Sequence, residues 1–259
     1  MAEEEKAEEK QEKQVDKSQE DVEEGKRTPA GAGNMRFDNA SIRARFVRKV
    51  FTILTIMILV NCLMVAPVVV IESVRSLVSQ YKWVILIAFL VFAVTSCTLM
   101  CCQSVARHFP CNFILLALFT VSAGVILMVI CAEIPPHTIV LALVTTCLTC
   151  TAIIIFASQT TCDITGCGFI LFVACIAVMI FGICIGILSF FMDVHWLSIA
   201  LSAVVCILFM IYLAYDIQMI LGGRKHEISP EEYVFAALCL FIDIFEIFTS
   251  LLNLFNAAN

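Results

Sequence analysis

The chain has 259 residues, 61% of them hydrophobic and only 15% charged, and its mean hydropathy is +0.98. These totals exclude an ordinary soluble domain and predict a membrane protein. The formal net charge of −6 arises largely in the first few dozen residues, so it says little about the membrane-embedded part.

Residues 1–35, opening MAEEEKAEEK, are rich in Glu and Lys and hold too few apolar residues to offset the entropy of ordering. They are expected to form a disordered acidic cytosolic tail. No short apolar core follows the acidic start, so no cleavable signal peptide is expected. Arg36, Arg43, Arg45, Arg48 and Lys49 then make a basic collar just before the first apolar run. By the positive-inside rule the amino terminus faces the cytosol. The collar reads as a topology signal with some attraction for anionic lipid, not as a nucleic-acid site.

Residues 36–259 form the membrane domain. A bilayer core takes about 20 apolar residues of helix, and seven runs qualify: 47–71, 83–103, 111–132, 138–158, 167–191, 195–221 and 233–255. The fold class is therefore an all-α membrane protein, a seven-transmembrane-helix bundle. An odd number of spans sends the carboxyl terminus to the lumenal or extracellular side. Pro67 is expected to kink the first span or mark its end. Pro135 and Pro136 close the third span, and Gly182 with Gly186 in the fifth would let two helix backbones approach closely.

Most of the fourteen cysteines lie within apolar runs, where cysteine acts as a small hydrophobe. Cys147 and Cys150 have metal-like spacing but no second ligand pair nearby, and His195 has no companion histidine in reach. No phosphate loop, dinucleotide fingerprint or nucleophile elbow is present. There is no nucleophile with a neighbouring base, and the GxGD-like element expected of an intramembrane aspartyl protease is missing, so an enzyme is not expected.

The informative residues are acids where leucine would serve. Asp216 lies in IYLAYDIQMILGG near the end of the sixth span, and Asp243 lies in LFIDIFEIF near the middle of the seventh. An ionised carboxylate at the centre of a membrane helix costs roughly 2.5 to 3.5 kcal/mol on insertion scales. At 1.5 Å per residue, Asp216 stands about 9 Å above Gly222 and Asp243 about 20 Å above Pro230. They become level only if the joining loop climbs by about 10 Å, which its length allows without requiring.

If the two meet, they cannot both ionise easily, and one proton is retained between them. Its loss would leave repelling anions, favouring separation of the helices, a calcium ion, or a cationic partner such as Arg107. The alternative for Asp216 is simple hydration at the cytosolic edge. Glu246 shares a helix face with Asp243 and either lines the same cavity or is a neutral, hydrogen-bonded acid. Glu133, at the far end of the third span, is either an interfacial residue or a guard at a lumenal mouth. Arg107 is either a topology charge or a counter-charge for the aspartates. In GGRKHEISPEE, Gly222 to Glu232, the two glycines stop one helix; Ser229, Pro230 and Glu232 have the pattern of a capped start of the next.

SIRARFVRKVFTILT, RHFPCNFILLALFT, ASQTTCDITGCG and YDIQMILGGRKHEISPEEYVFAALCLFIDIF resemble the transmembrane Bax inhibitor motif family in its lifeguard branch, over about residues 40 to 256. The resemblance implies seven helices with a central last helix surrounded by the other six. It also implies pH-sensitive calcium leak, restraint of cell death, and residence in the endoplasmic reticulum, Golgi or plasma membrane. The family's paired-aspartate proton sensor maps onto Asp216 and Asp243, where calcium would bind transiently as the transported ion; no resident cofactor is implied. Partners would be the lipid bilayer, calcium ions and cell-death regulatory membrane proteins. Two alternatives stay open: a non-conducting membrane interaction protein that restrains death signalling, and a proton-coupled calcium exchanger. The chain departs from the pattern at Cys239, where an asparagine is common, at Glu246, usually aromatic or amide, and in its Glu/Lys tail.

Overall fold

The computed structural model describes residues 30–258. Residues from Arg43 onward make one compact unit, the membrane bundle. The acidic tail expected over residues 1–35 lies outside the described residues as far as residue 29, and so does the side chain of Arg36.

All regular structure among the described residues is helical. Seven helices are long and apolar enough to cross a membrane. They lie in α1 (Ala30–Val70), α3 (Val84–Cys101), α5 (Cys111–Ala132), α6 (Pro136–Gln159), α7 (Gly168–Leu188), α8 (His195–Leu221) and α9 (Tyr233–Ala258). Six expected spans agree with these within a few residues, because runs of Leu, Ile, Val and Phe leave the backbone no partner in lipid except its own helix; the first, expected over 47–71, ends as expected but its helix starts well before residue 47, at Ala30. Pro67 sits inside α1, which ends three residues later at Val70, so the proline falls in the last turn. Two short helices interrupt what reads as loop: α2 (Glu72–Gln80) and α4 (Gln103–Arg107).

The outer face of the bundle is apolar because lipid covers it, and α7 is the extreme case, with few buried side chains and its main packing against α8. The last helix is the opposite. Val234, Ala236, Ala237, Leu238, Leu240, Phe241, Ile247 and Leu252 of α9 are buried, and α9 packs against α8, α6, α5 and α3. Small residues at Ala236 and Ala237 let neighbours close in. Higher up, Phe92 of α3 stacks on Phe119 of α5 at 4.7 Å and on Phe245 of α9 at 5.6 Å. Phe119 meets Phe241 edge-on at 5.5 Å. Offset and edge-on rings are the favourable arrangements, and here they bind α3 and α5 to α9.

The Gly182–Gly186 pair does not bring two backbones together. A Cβ at Gly182 would meet Leu201 at an ordinary 3.6 Å, and one at Gly186 would meet nothing within 4 Å. The close approach lies instead at Gly124 of α5, where a Cβ would stand 2.5 Å from Met64 Sδ and 3.2 Å from Asn61 Oδ1 of α1. The cysteines divide: Cys131, Cys150 and Cys206 are buried, while most others face outward.

Candidate functional site

The site is set by the hairpin α8–α9. Gly222 and Gly223 both adopt positive φ, 72° and 74°, which side chains rarely tolerate, and they stop α8 at Leu221. The chain then turns back along α8 instead of leaving it. Ile228 is buried, and its N–H donates to Met219 O at 3.1 Å. This backward step supplies the climb that levels the two acids. The expected capped helix start differs from what is observed: Glu232 N donates to Ser229 O, α9 begins only at Tyr233, and the Glu232 carboxylate is engaged elsewhere.

Asp216 and Asp243 meet in the interior. Their carboxyl groups are within hydrogen-bond reach of each other, and the residues are 8% and 3% exposed. Burial removes the hydrated alternative for Asp216. A contact between two carboxyls requires a proton on one of them. Asp243 Oδ2 is buried and receives no N–H or hydroxyl donor from the rest of the bundle. Cys239, Tyr212 and Tyr215 are neighbours of the pair, Cys150 of α6 and Glu246 of α9 are neighbours of Asp243, and Cys175 of α7 pairs with Tyr212 beside it. Glu246 is half-buried.

The remaining candidates are elsewhere. Arg107 Nη2 donates to Glu232 Oε1 at 2.7 Å at the lead into α9, and this hydrogen bond raises the already high pKa of the guanidinium. Glu133 is at the opposite end of the bundle, where Ser79 Oγ donates to it at 2.7 Å and Lys82 Nζ at 2.8 Å. These donors hold its carboxyl below the usual carboxylate range, Lys82 first and Ser79 second. Arg75 Nη2 donates to Ile134 O at 2.9 Å, so α2 is pinned across that end. His195 begins α8, its N–H accepted by Asp193 Oδ1.

Two supports escaped the sequence reading. Gln218, two residues after Asp216, is 1% exposed. Its Oε1 accepts from Ile164 N at 2.8 Å and its Nε2 donates to Cys162 O at 2.9 Å. Arg224 donates to Thr160 O and Thr161 O, and Asp163 accepts from Lys225 N. The segments ASQTTCDITGCG and YDIQMILGGRK are therefore interlocked in space. The signal was available: a glutamine in an apolar helix needs partners as much as an aspartate does. The second support is Arg43, which reads from sequence as a topology charge. Its Nη1 donates to Ile228 O at 2.7 Å and its Nη2 to Met219 O at 2.9 Å.

Seven membrane-length helices, with the last buried among its neighbours and two acids in contact inside, define a multi-pass membrane protein with an intramembrane carboxyl pair. Residues 43–259 match the model of the family described as Inhibitor of apoptosis-promoting Bax1. The chain belongs to that family, and its relatives include lifeguard proteins. It is 35% identical over 227 residues to human Protein lifeguard 3, covering 88% of this chain and 73% of that one. The mouse Protein lifeguard 3 is also 35% identical, over 87% of this chain and 74% of its own length. Mouse Protein lifeguard 4 is 28% identical over 84% of this chain and 87% of that one.

Proposed function

We propose that the chain is a pH-sensitive calcium leak channel of intracellular or plasma membranes with a negative role in apoptosis. The observation that carries this reading is the contact of Asp216 with Asp243 in the bundle interior, the residues being 8% and 3% exposed. While a proton is shared, the contact holds α8 against α9. When it is lost, two anions repel in a poorly hydrated site and the helices separate. A calcium ion passing between them would meet two or three carboxylates, against the six to eight oxygens it prefers, so water and carbonyl groups complete its shell and binding is weak. Glu246 lines the path and Glu133 stands at the far mouth. Arg107, paired with Glu232, is the cation available to the acids at the other end.

The test is calcium efflux from liposomes holding the purified protein, between pH 5 and pH 8, compared with the Asp216→Asn/Asp243→Asn variant. Efflux that rises with pH in the wild type and loses that dependence in the variant supports the reading. No efflux above protein-free liposomes overturns it.

A second reading draws on the family's description, which names inhibition of an apoptosis-promoting protein. In that reading the chain restrains death signalling by contact with other membrane proteins and the acids serve packing alone. Protection of cells that survives the same double substitution would favour it.

A further inference from the structure

We propose that Arg43 is a positioning residue for the acid pair, a clasp at the start of the membrane part of α1 that grips the α8–α9 loop and sets the pH at which the pair separates. The proposal rests on the leak reading. Arg43 is only 17% exposed along its side chain. Its guanidinium bridges two carbonyls on opposite arms of the hairpin: Met219 O in the last turn of α8 and Ile228 O on the lead into α9. The bridging geometry belongs to arginine. Its planar fork serves the two carbonyls from two separate nitrogens, whereas an ammonium would have to reach both from a single nitrogen.

The loop is shaped around this group. A Cβ at Gly222 would collide with Arg43 Nη2 and stand 2.6 Å from its Cζ, so the glycine serves both the positive φ and the close passage of the guanidinium. Glu227 Oε2 lies 3.4 Å from Nη2 and also accepts from Gly223 N. Arg43 Nε is buried without a partner, so the two carbonyl bonds and the packing hold the side chain in place.

Arm by arm, the mechanics follow. The α8 arm is fastened to the α6–α7 loop by Gln218 and Arg224. The α9 arm is fastened to α1 by Arg43 and by Lys49, whose Nζ lies 3.2 Å from the Tyr233 ring centroid; the partly exposed Arg107–Glu232 pair adds little. Met219 is one turn from Asp216. Drawing the two arms apart at this end of the hairpin therefore opens one of the two Arg43 bonds together with the Ile228 N–H bond to Met219 O. The titrating response stays with the carboxyls; the titratable groups around them are Cys150 from α6, Cys175 from α7, Tyr212 and Tyr215 from α8, and Cys239 and Glu246 from α9. Arginine keeps its charge throughout. It sets the mechanical resistance against which the acids work.

The test uses the full-length protein and the variants Arg43→Lys, Gly222→Ala and the two combined. Calcium efflux from liposomes is measured from pH 5 to pH 8, and trypsin cleavage at Arg224 and Lys225 is timed in detergent. The half-maximal efflux of Arg43→Lys is expected to move to lower pH by about one unit, the scale of one charged hydrogen bond. Loop cleavage should become several-fold faster, although the positive charge is retained. Gly222→Ala should move both readouts the same way, and the combined variant no further than the larger single effect, because both disturb one contact. If Arg43→Lys does not reconstitute, Gly222→Ala, with its guanidinium intact, decides the matter. A pH-dependent wild type with unshifted variants and a loop no easier to cut overturns the clasp. A wild type with no pH dependence overturns the leak reading instead, and the pH role of the clasp with it.

Discussion

Gln218 Oε1 accepts the Ile164 N–H at 2.8 Å while its Nε2 donates to Cys162 O at 2.9 Å, so one side chain of α8 satisfies two backbone groups of the loop between α6 and α7. Replacing it with leucine keeps the volume and removes both bonds. Gln218→Leu should lose about 2 to 3 kcal/mol of stability, the cost of orphaning buried polar groups. Reversible unfolding in mixed micelles measures it. A loss under about 0.5 kcal/mol would mean that water reaches the loop.

Asn61 should behave in the opposite sense. Its Nδ2 donates to Met57 O at 2.9 Å and to Thr120 O at a long 3.4 Å, while its Oδ1 is buried without a partner. The side chain gives a weak interhelical bond and carries an unsatisfied acceptor. Bonds of this kind average about 0.6 kcal/mol in membrane bundles. Asn61→Leu should therefore fall within about 1 kcal/mol of the wild type, or above it, in the same unfolding assay.

The Arg107–Glu232 pair has side chains 43% and 21% exposed. Exposed ion pairs contribute about 0.2 to 1 kcal/mol, so Glu232→Gln should destabilise by no more than about 1 kcal/mol, and less at high salt. A larger loss that persists at high salt would show that the pair fixes the lead into α9.

Asp163 links the same loops through hydrogen bonds that favour its ionised form. The Thr165 hydroxyl is the largest cause and the Lys225 N–H the next, and together they hold its carboxyl below the usual aspartate range. A depressed folded-state value contributes stability above the unfolded value and loses it as pH falls through the folded one. Thermal unfolding should show this contribution intact above about pH 4 and fading below. Asp163→Asn should lie below the wild type at neutral pH and converge with it in acid; parallel curves would deny the linkage.

The spans were legible because lipid imposes one rule on every backbone group, and a run of apolar residues reports it directly. The amphipathic α2 was not, since its nine residues fall short of a span and its partners Ile134 and Glu133 lie far along the chain. The acids were visible as misplaced polarity, but their meeting depends on Ile228 turning back onto Met219, a loop geometry with no periodic signature. Arg43 was the hardest to read. A guanidinium held by a carbonyl 185 residues away looks in sequence like any other member of a basic collar. Gly222 hinted at a tight turn, and only the coordinates link it to Arg43.

The two acids lie on consecutive helices joined by a loop that folds back on itself, and this bears on how the chain is made. A hairpin of α8 and α9 can enter the bilayer as one unit, with its carboxyls already facing each other. Inserted separately, each helix would meet hydrocarbon with its own unmatched charge. The arrangement that brings the acids together in the finished bundle thus also lowers the barrier to assembling it.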